Sequence, residues 1–473
     1  MSEESKALFM EPPAKEEVVL NGVDKTTTKE EIKTVSMNGH LSAGPFLDIA
    51  TAPLDGLDPQ IYSSIVPIPP FSFLDIKMRK CTPKLPPPTY LKQNELIYSH
   101  KSTKAEIFKG FEVPTEGGLK CIDQDVLAKQ KGVLASLIAQ VATCFFQKGG
   151  FVRVSLPVRI FEARSTLDKI VDPWRTAPTY LSQAAMTTDP VLRMKQVITF
   201  AISGLHLAVT QLKPFNPLLG ETLEGGFDDG TKIYCEHVSH HPPITSFLVH
   251  GAQNSYILSG RYNYKISFSA NSLVGTQSGP NNIRFPDGGE VVFKLPGVKL
   301  TGLIMGVRLA FYTGTMRFWD KQNGIKAVVV LDCGNSGSIF GSRKKGSKRD
   351  DFEGLIYKYN SKTAKKKRKD IKKLADLNDV KEVISNISGS WLTHLNIGGE
   401  EFWHINSASP CGIWYSSWPL PSDWRFREDL LWLRRDNMPC ADAWKIELEV
   451  QQRHDRELRE RFKKESEKKA KKK

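Results

Sequence analysis

From residue 132 the apolar positions fall at helical spacing. Val133, Leu134, Leu137, Ile138, Val141, Phe145 and Phe146 repeat on one side, and Ala135, Ser136, Ala139, Gln140 and Thr143 cover the other. The predicted helix is amphipathic with no charge on its polar face, which suits either packing on a core or lying in a lipid interface. Two further helical stretches, over residues 165–185 and 191–209, read as core helices. Near residue 220 the period switches to two. RYNYKISF at 261–268 alternates polar and apolar without a fault, and short β-rich runs follow at 290–295, 298–304 and 325–331, separated by Gly, Asn and Pro turns. That pattern predicts a mainly β fold, an antiparallel sheet or barrel, with helices before it. A strand-like piece at 387–391 leads to an aromatic stretch at 403–432, and a long charged helix is predicted over 441–464, ahead of a terminal KKAKKK.

Composition changes the picture at the N-terminus. Residues 1–95 hold 12 of the 28 prolines and no tryptophan, so residues 1–128 are expected to be mostly disordered, with a folded domain over 129–462 and a basic tail over 463–473. The tetrapeptide FLDI recurs at 46–49 and 73–76, as a short docking motif or by chance. The opening MSEESKALFMEPPAKEE is acidic and polar, unlike a secretory or transit peptide, and the apolar run at 133–146 is too short to span a bilayer. A cytosolic protein with at most peripheral membrane contact is expected. Seven cysteines, odd in number and without a CxxC pair, point to neither a disulfide framework nor a zinc ribbon.

The formal net charge of +14 calls for a polyanionic partner, an acidic membrane or a nucleic acid. Residues 341–373 carry most of it, with 14 Lys/Arg against four acidic residues. Aromatic side chains for base stacking are not interleaved with these charges, so an anionic membrane surface is the expected partner and a nucleic acid is not.

Two segments carry candidate chemistry. In EHVSHHPP at 236–243 two adjacent histidines are closed by two prolines, which end a strand ladder and allow both rings to converge at its terminus. His237, His240 and His241 offer three imidazoles to a metal, but no fourth ligand or general-base carboxylate sits at a recognisable spacing. As an anion site, His240 and His241 donate to phosphate oxygens and gain strength when protonated. A purely structural histidine pair is the third reading. In KPFNPLLGE at 213–221, Lys213 and Asn216 are held between two prolines of fixed φ, which suits a preformed polar contact or an ordinary connection into the sheet.

In this order the two segments resemble the paired signature of the oxysterol-binding-protein-related family, and the similarity runs over roughly residues 130–462. The second motif departs at His237, where the family usually has glutamine. The resemblance implies an incomplete antiparallel β-barrel around a lipid tunnel, an N-terminal lid (about 131–160, with Val133, Leu134, Leu137, Ile138, Val141 and Phe145 on its apolar side), and a C-terminal helical extension. It also implies that Lys213, Asn216, His240 and His241 hold a phosphatidylinositol 4-phosphate headgroup, completed by Lys445, Glu449 and Arg453 at four-residue spacing on one face of the terminal helix. Without the resemblance, those three read as a solvated salt-bridge ladder. A tunnel is physically required of such a carrier, since two acyl chains hold about 30 methylenes whose exposure costs roughly 25 kcal/mol. The expected function is exchange of phosphatidylinositol 4-phosphate for a second lipid, sterol or phosphatidylserine, without cofactor, metal or catalysis. The rival readings are a phosphoinositide sensor without net transport and a lipid-modifying hydrolase using His240 or His241 as base, for which no nucleophile is identified.

Overall fold

The computed structural model describes residues 108–130, 132–133, 156–269, 271–333, 345–360, 371, 373–407 and 409–470. It opens with a short hairpin, β1 (Phe111–Glu112) and β2 (Leu119–Cys121), and helix α1 (Gln124–Gln130). After residue 156 come β3 (Phe161–Ser165), α2 (Thr166–Lys169), α3 (Ala177–Met186), α4 (Pro190–Ser203), α5 (Leu205–Ala208) and β4 (Lys213–Phe215); β3 and β4 pair in parallel, apart from the main sheet.

The main sheet has 17 strands among the described residues. Its first run is β5 (Thr222–Phe227), β6 (Lys232–Ser239), β7 (Ile244–His250) and the long β8 (Ile257–Ser269). The first half of β8 pairs with β10 (Asn281–Arg284) and its second half with β9 (Ser272–Ser278). β11 (Glu290–Lys294) and β12 (Gly297–Thr301) likewise share the flank of β13 (Leu309–Asp320). An antiparallel meander then continues through β14 (Ile325–Leu331), β15 (Asp351–Tyr359), β16 (Val380–Ser390), β17 (His394–Ile397) and β18 (Glu400–His404). At the opposite edge β19 (Ile413–Tyr415) pairs with β5, and helices α6 (Glu428–Arg434) and α7 (Met438–Ala470) close the chain.

Among the described residues no paired register joins β18 to β19. Helix α4 packs instead against β13, β14, β17 and β18. Its start is set by Pro190 in the first turn and by the Asp189 carboxylate accepting from Val191 N. Its buried Met194, Val197, Ile198, Ala201 and Ile202 join the same core as inward residues of the strands, each large apolar side chain contributing about 1.5–3 kcal/mol. Strand β6 alternates buried Ile233, Cys235 and His237 with outward Tyr234, Glu236 and Val238, as a sheet covered on one face must. β14 is buried at all seven positions, because Leu374 and Leu377 pack with Val328, Val330 and Tyr357 over its outer face.

Four sequence expectations need correction. Residues 108–128 are not wholly outside the fold, since β2 adds to β13 through the pairs Leu309↔Lys120 and Ala310↔Leu119, and Leu119 is buried in the core. Three residues are too few to show a period. The run VRVSLPVRI at 152–160 reads as strand-like in sequence, but its last three residues do not form a strand. Val158–Ile160 form a 3-10 turn with Val158 and Ile160 in the core, and the strand follows at Phe161. The basic stretch 341–373, which by its charge reads as a single insertion, contains β15 and is therefore interrupted by the sheet. The last helix runs on to Ala470, through most of the segment read as a tail. Residues 1–107, the FLDI repeats and Leu134, Leu137, Ile138, Val141 and Phe145 lie outside the described residues; Val133 is buried with the core.

Candidate functional site

The two sequence motifs meet as paired backbone. Gly220 N donates to His237 O at 2.9 Å and His237 N to Glu221 O at 2.9 Å, so the end of KPFNPLLGE lies beside EHVSHHPP. Helix α7 joins both, with the buried Gln452 amide reaching His240 Nδ1 at 3.0 Å and Pro217 O at 3.5 Å.

Lys213 donates from Nζ to Asn216 Oδ1 at 2.5 Å and Pro214 O at 3.1 Å, two neutral oxygens. Its ammonium lies 4.9 Å from the centre of the Phe161 ring, and Lys445 from α7 lies 5.4 Å from the same ring. Two cations thus share one aromatic ring, as cation–π attraction permits. Burial, and then the neighbouring charges of Lys445 and Arg427, push the Lys213 pKa down to about 7. The Glu449 carboxylate accepts from Lys445 and lies 4.0 Å from Arg453, so the expected ladder is formed and stands beside Lys213. Arg453 is the more solvated end of it.

The His240 and His241 rings lie 4.5 Å apart, and His237 lies 6.1 Å from His240. Burial, then His241 and Arg456, lower His240 to about 4; burial and Arg456 lower His241 as well. At neutral pH these imidazoles are uncharged in the ligand-free site, so each presents a neutral N–H there. His237, the departing position, is buried and hydrogen-bonds Thr245 Oγ1 at 3.2 Å through Nδ1. It supports the strand and does not complete a three-imidazole set.

Sequence reasoning missed three contributors. Gln452 and Arg456 stand three and seven positions after Glu449, on the same helical face, so extending that face by two turns could have found them. Arg427 had no local signal. It is buried and donates from Nη1 to Asn216 O at 2.6 Å and Glu221 Oε2 at 3.0 Å, and from Nη2 to Asp429 Oδ2 at 2.8 Å. Glu221 also accepts from Leu218 N at 2.8 Å and from Ser165 Oγ. This buried cluster fixes the loop that presents Lys213 and Asn216.

A helix-plugged antiparallel ring with cations and imidazoles gathered at one rim defines a lipid-binding domain. The chain belongs to the oxysterol-binding protein family, whose model matches residues 148–472. It is 34% identical over 357 residues to oxysterol-binding protein 9 of Dictyostelium discoideum, covering 75% of this chain and 82% of that one. It is 32% identical over 221 residues to oxysterol-binding protein-related protein 8 of Mus musculus, covering 45% of this chain but only 24% of the mouse protein. Among solved structures it resembles the Osh3 ORD of Saccharomyces cerevisiae in complex with PI(4)P, with TM-score 0.51 and 22% identity over 68% of this chain and 84% of that one. The Osh1 ORD domain in complex with cholesterol gives TM-score 0.53 and 20% identity over 69% of this chain and 80% of that one. The family consists of lipid-binding and lipid-transfer proteins and not of enzymes. None of the described helices is long and apolar enough to cross a membrane.

Proposed function

We propose that the rim formed by Lys213, Asn216, His240, His241, Lys445, Glu449 and Arg453 holds the headgroup of phosphatidylinositol 4-phosphate. The protein exchanges that lipid for a sterol or phosphatidylserine between membranes, which it touches from the cytosol. The observation that carries this reading is Lys213, a half-buried ammonium bonded only to neutral oxygens and opposed by the charges of Lys445 and Arg427. No carboxylate bonds this ammonium directly, Glu449 and Glu162 acting on it only from a distance, and a phosphate monoester supplies the direct ionic partner. Glu449 beside the cations accepts from inositol hydroxyls. The relatives solved with PI(4)P and with cholesterol support both classes of cargo.

The double substitution His240→Ala, His241→Ala tests it. Each lost hydrogen bond to a charged headgroup costs about 1.5–3 kcal/mol, so extraction of phosphatidylinositol 4-phosphate from vesicles is expected to fall by more than about tenfold. Wild-type extraction by a double variant that still melts cooperatively would discard the site. The convergence of two elements on one ligand gives a second check: Lys213→Ala and Lys445→Ala should weaken headgroup binding non-additively, with a coupling of about 1 kcal/mol in a double-mutant cycle. Zero coupling would place α7 outside the site.

A further inference from the structure

The turn between β12 and β13, GLIMGV at 302–307, exposes three large apolar side chains in succession: Ile304 at 48%, Met305 at 72% and Val307 at 54%. It is a built structure. Asn271, at the neighbouring tip between β8 and β9, accepts at Oδ1 from Ile304 N at 2.8 Å and Met305 N at 3.2 Å, and donates from Nδ2 to Met305 O at 2.8 Å. Gly302 and Gly306 have φ of +68° and +83°, and a Cβ on Gly302 would meet Val307 O at 2.0 Å. Buried Leu303 anchors the turn, and Arg308 closes it by donating to Gly302 O at 3.2 Å. Two adjoining hairpin tips are thus locked together to hold apolar side chains in water.

Their position and charge say what covers them. Ile244, just past the histidine turn, pairs with Asn263, and β8 continues six residues further to Ser269, about 20 Å at the usual strand rise. The joined tips therefore project past His240 and His241 at the same end of the sheet. Gln130 ties the two regions, accepting from Arg308 and donating to Gln211 O, two residues before Lys213. Residues 257–280 and 295–319, which make up these hairpins, contain no Asp or Glu, but they include Arg261, Lys265 and Lys299. Ile266, 56% exposed, lies next to Lys265 on β8.

We infer that the β12–β13 turn is a wedge that enters an anionic lipid bilayer, with Ile304, Met305 and Val307 at the headgroup–acyl boundary and the acid-free strands behind it facing lipid phosphates. Apolar burial supplies the attachment and the cations bias it toward anionic leaflets. The inference rests on the proposed headgroup site only in saying that this end of the domain meets the membrane from which lipid is taken.

The test compares the full chain with the variant Ile304→Ser, Met305→Ser, Val307→Ser and with Met305→Trp. Each is measured by co-flotation with phosphatidylcholine vesicles, with and without roughly one-third phosphatidylserine, and by titration with a soluble inositol 1,4-bisphosphate headgroup. The triple variant is expected to lose about tenfold or more in partitioning onto anionic vesicles while binding the soluble headgroup as the parent does, and Met305→Trp is expected to partition more tightly. Parental partitioning by the triple variant overturns the wedge, as does partitioning by the parent that ignores the anionic lipid. If the triple variant loses headgroup binding as well, Met305→Trp decides: partitioning no tighter than the parent's overturns the inference. A parent that floats but binds no headgroup refutes the headgroup reading alone.

Discussion

A Lys213→Met protein is expected to melt above the parent when ligand-free and yet to bind an inositol phosphate headgroup about a hundredfold more weakly, the loss of one buried charge-assisted contact. The gain in stability follows from the depressed pKa. Lys213 falls from its ordinary value near 10.5 to about 7 through burial and the charges of Lys445 and Arg427. The unfolded chain therefore binds one more proton between pH 7 and pH 10.5. Carrying the charge into the fold costs stability at every pH below about 7, and that cost fades as the pH rises toward the unfolded value. Lys213 keeps some contact with water, which reduces the penalty to about 2–3 kcal/mol. Methionine fills the same space over Phe161 without it. The same linkage sets the pH dependence of binding, because a phosphate favours the ammonium. Above pH 7 the parent takes up a proton with the ligand, and affinity falls by up to about tenfold per pH unit from 7 to 10, whereas the variant lacks this slope. Calorimetric titration in buffers of different ionisation enthalpy counts the proton directly. A variant that melts lower, or a parent with no proton uptake at pH 8, would show that Lys213 is a satisfied structural lysine.

Arg427→Met is the substitution expected to damage the domain most. It leaves the buried carboxylates of Glu221 and Asp429 without their shared cation and frees Asn216 O. Removing one member of a buried ionic cluster costs about 3–5 kcal/mol, equivalent here to a fall of about 5–10 °C in Tm. Burial already raises the Glu221 pKa against the opposing pull of Arg427, so without the arginine this carboxyl shifts further toward its neutral form. The double variant with Glu221→Gln should recover part of the lost stability, since the amide carries no charge to strand. Headgroup affinity should stay low in both, because the loop presenting Lys213 and Asn216 has lost its clamp. Melting unchanged in Arg427→Met, or fully additive effects in the pair, would mean that the cluster does not hold the loop.

Most of the ring was legible along the chain, because alternation marks a strand with one face in water and an unbroken β-rich apolar run marks one covered on both. RYNYKISF lies within β8, and the run at 325–331 coincides with β14. The side chains of the rim were legible as residue types: paired histidines closed by prolines, a lysine and an asparagine between prolines, and a helix with Lys445, Glu449 and Arg453 in register. Their four-residue spacing dictates that they share a face whatever surrounds the helix. The tertiary structure decided the rest. It alone placed Leu119–Cys121 on the edge of β13, since a three-residue strand has no period and is held only by its partner. It alone brought Lys445 over the ring that Lys213 occupies, and Arg427 onto Glu221 across a separation of 206 residues. It also set the resting protonation of the histidines, because a pKa is fixed by burial and by every charge within reach, and for His240 those include Arg456 on a helix far along the chain. Periodicity is a property of neighbours in sequence; desolvation and Coulomb energy belong to neighbours in space, which only the folded chain defines.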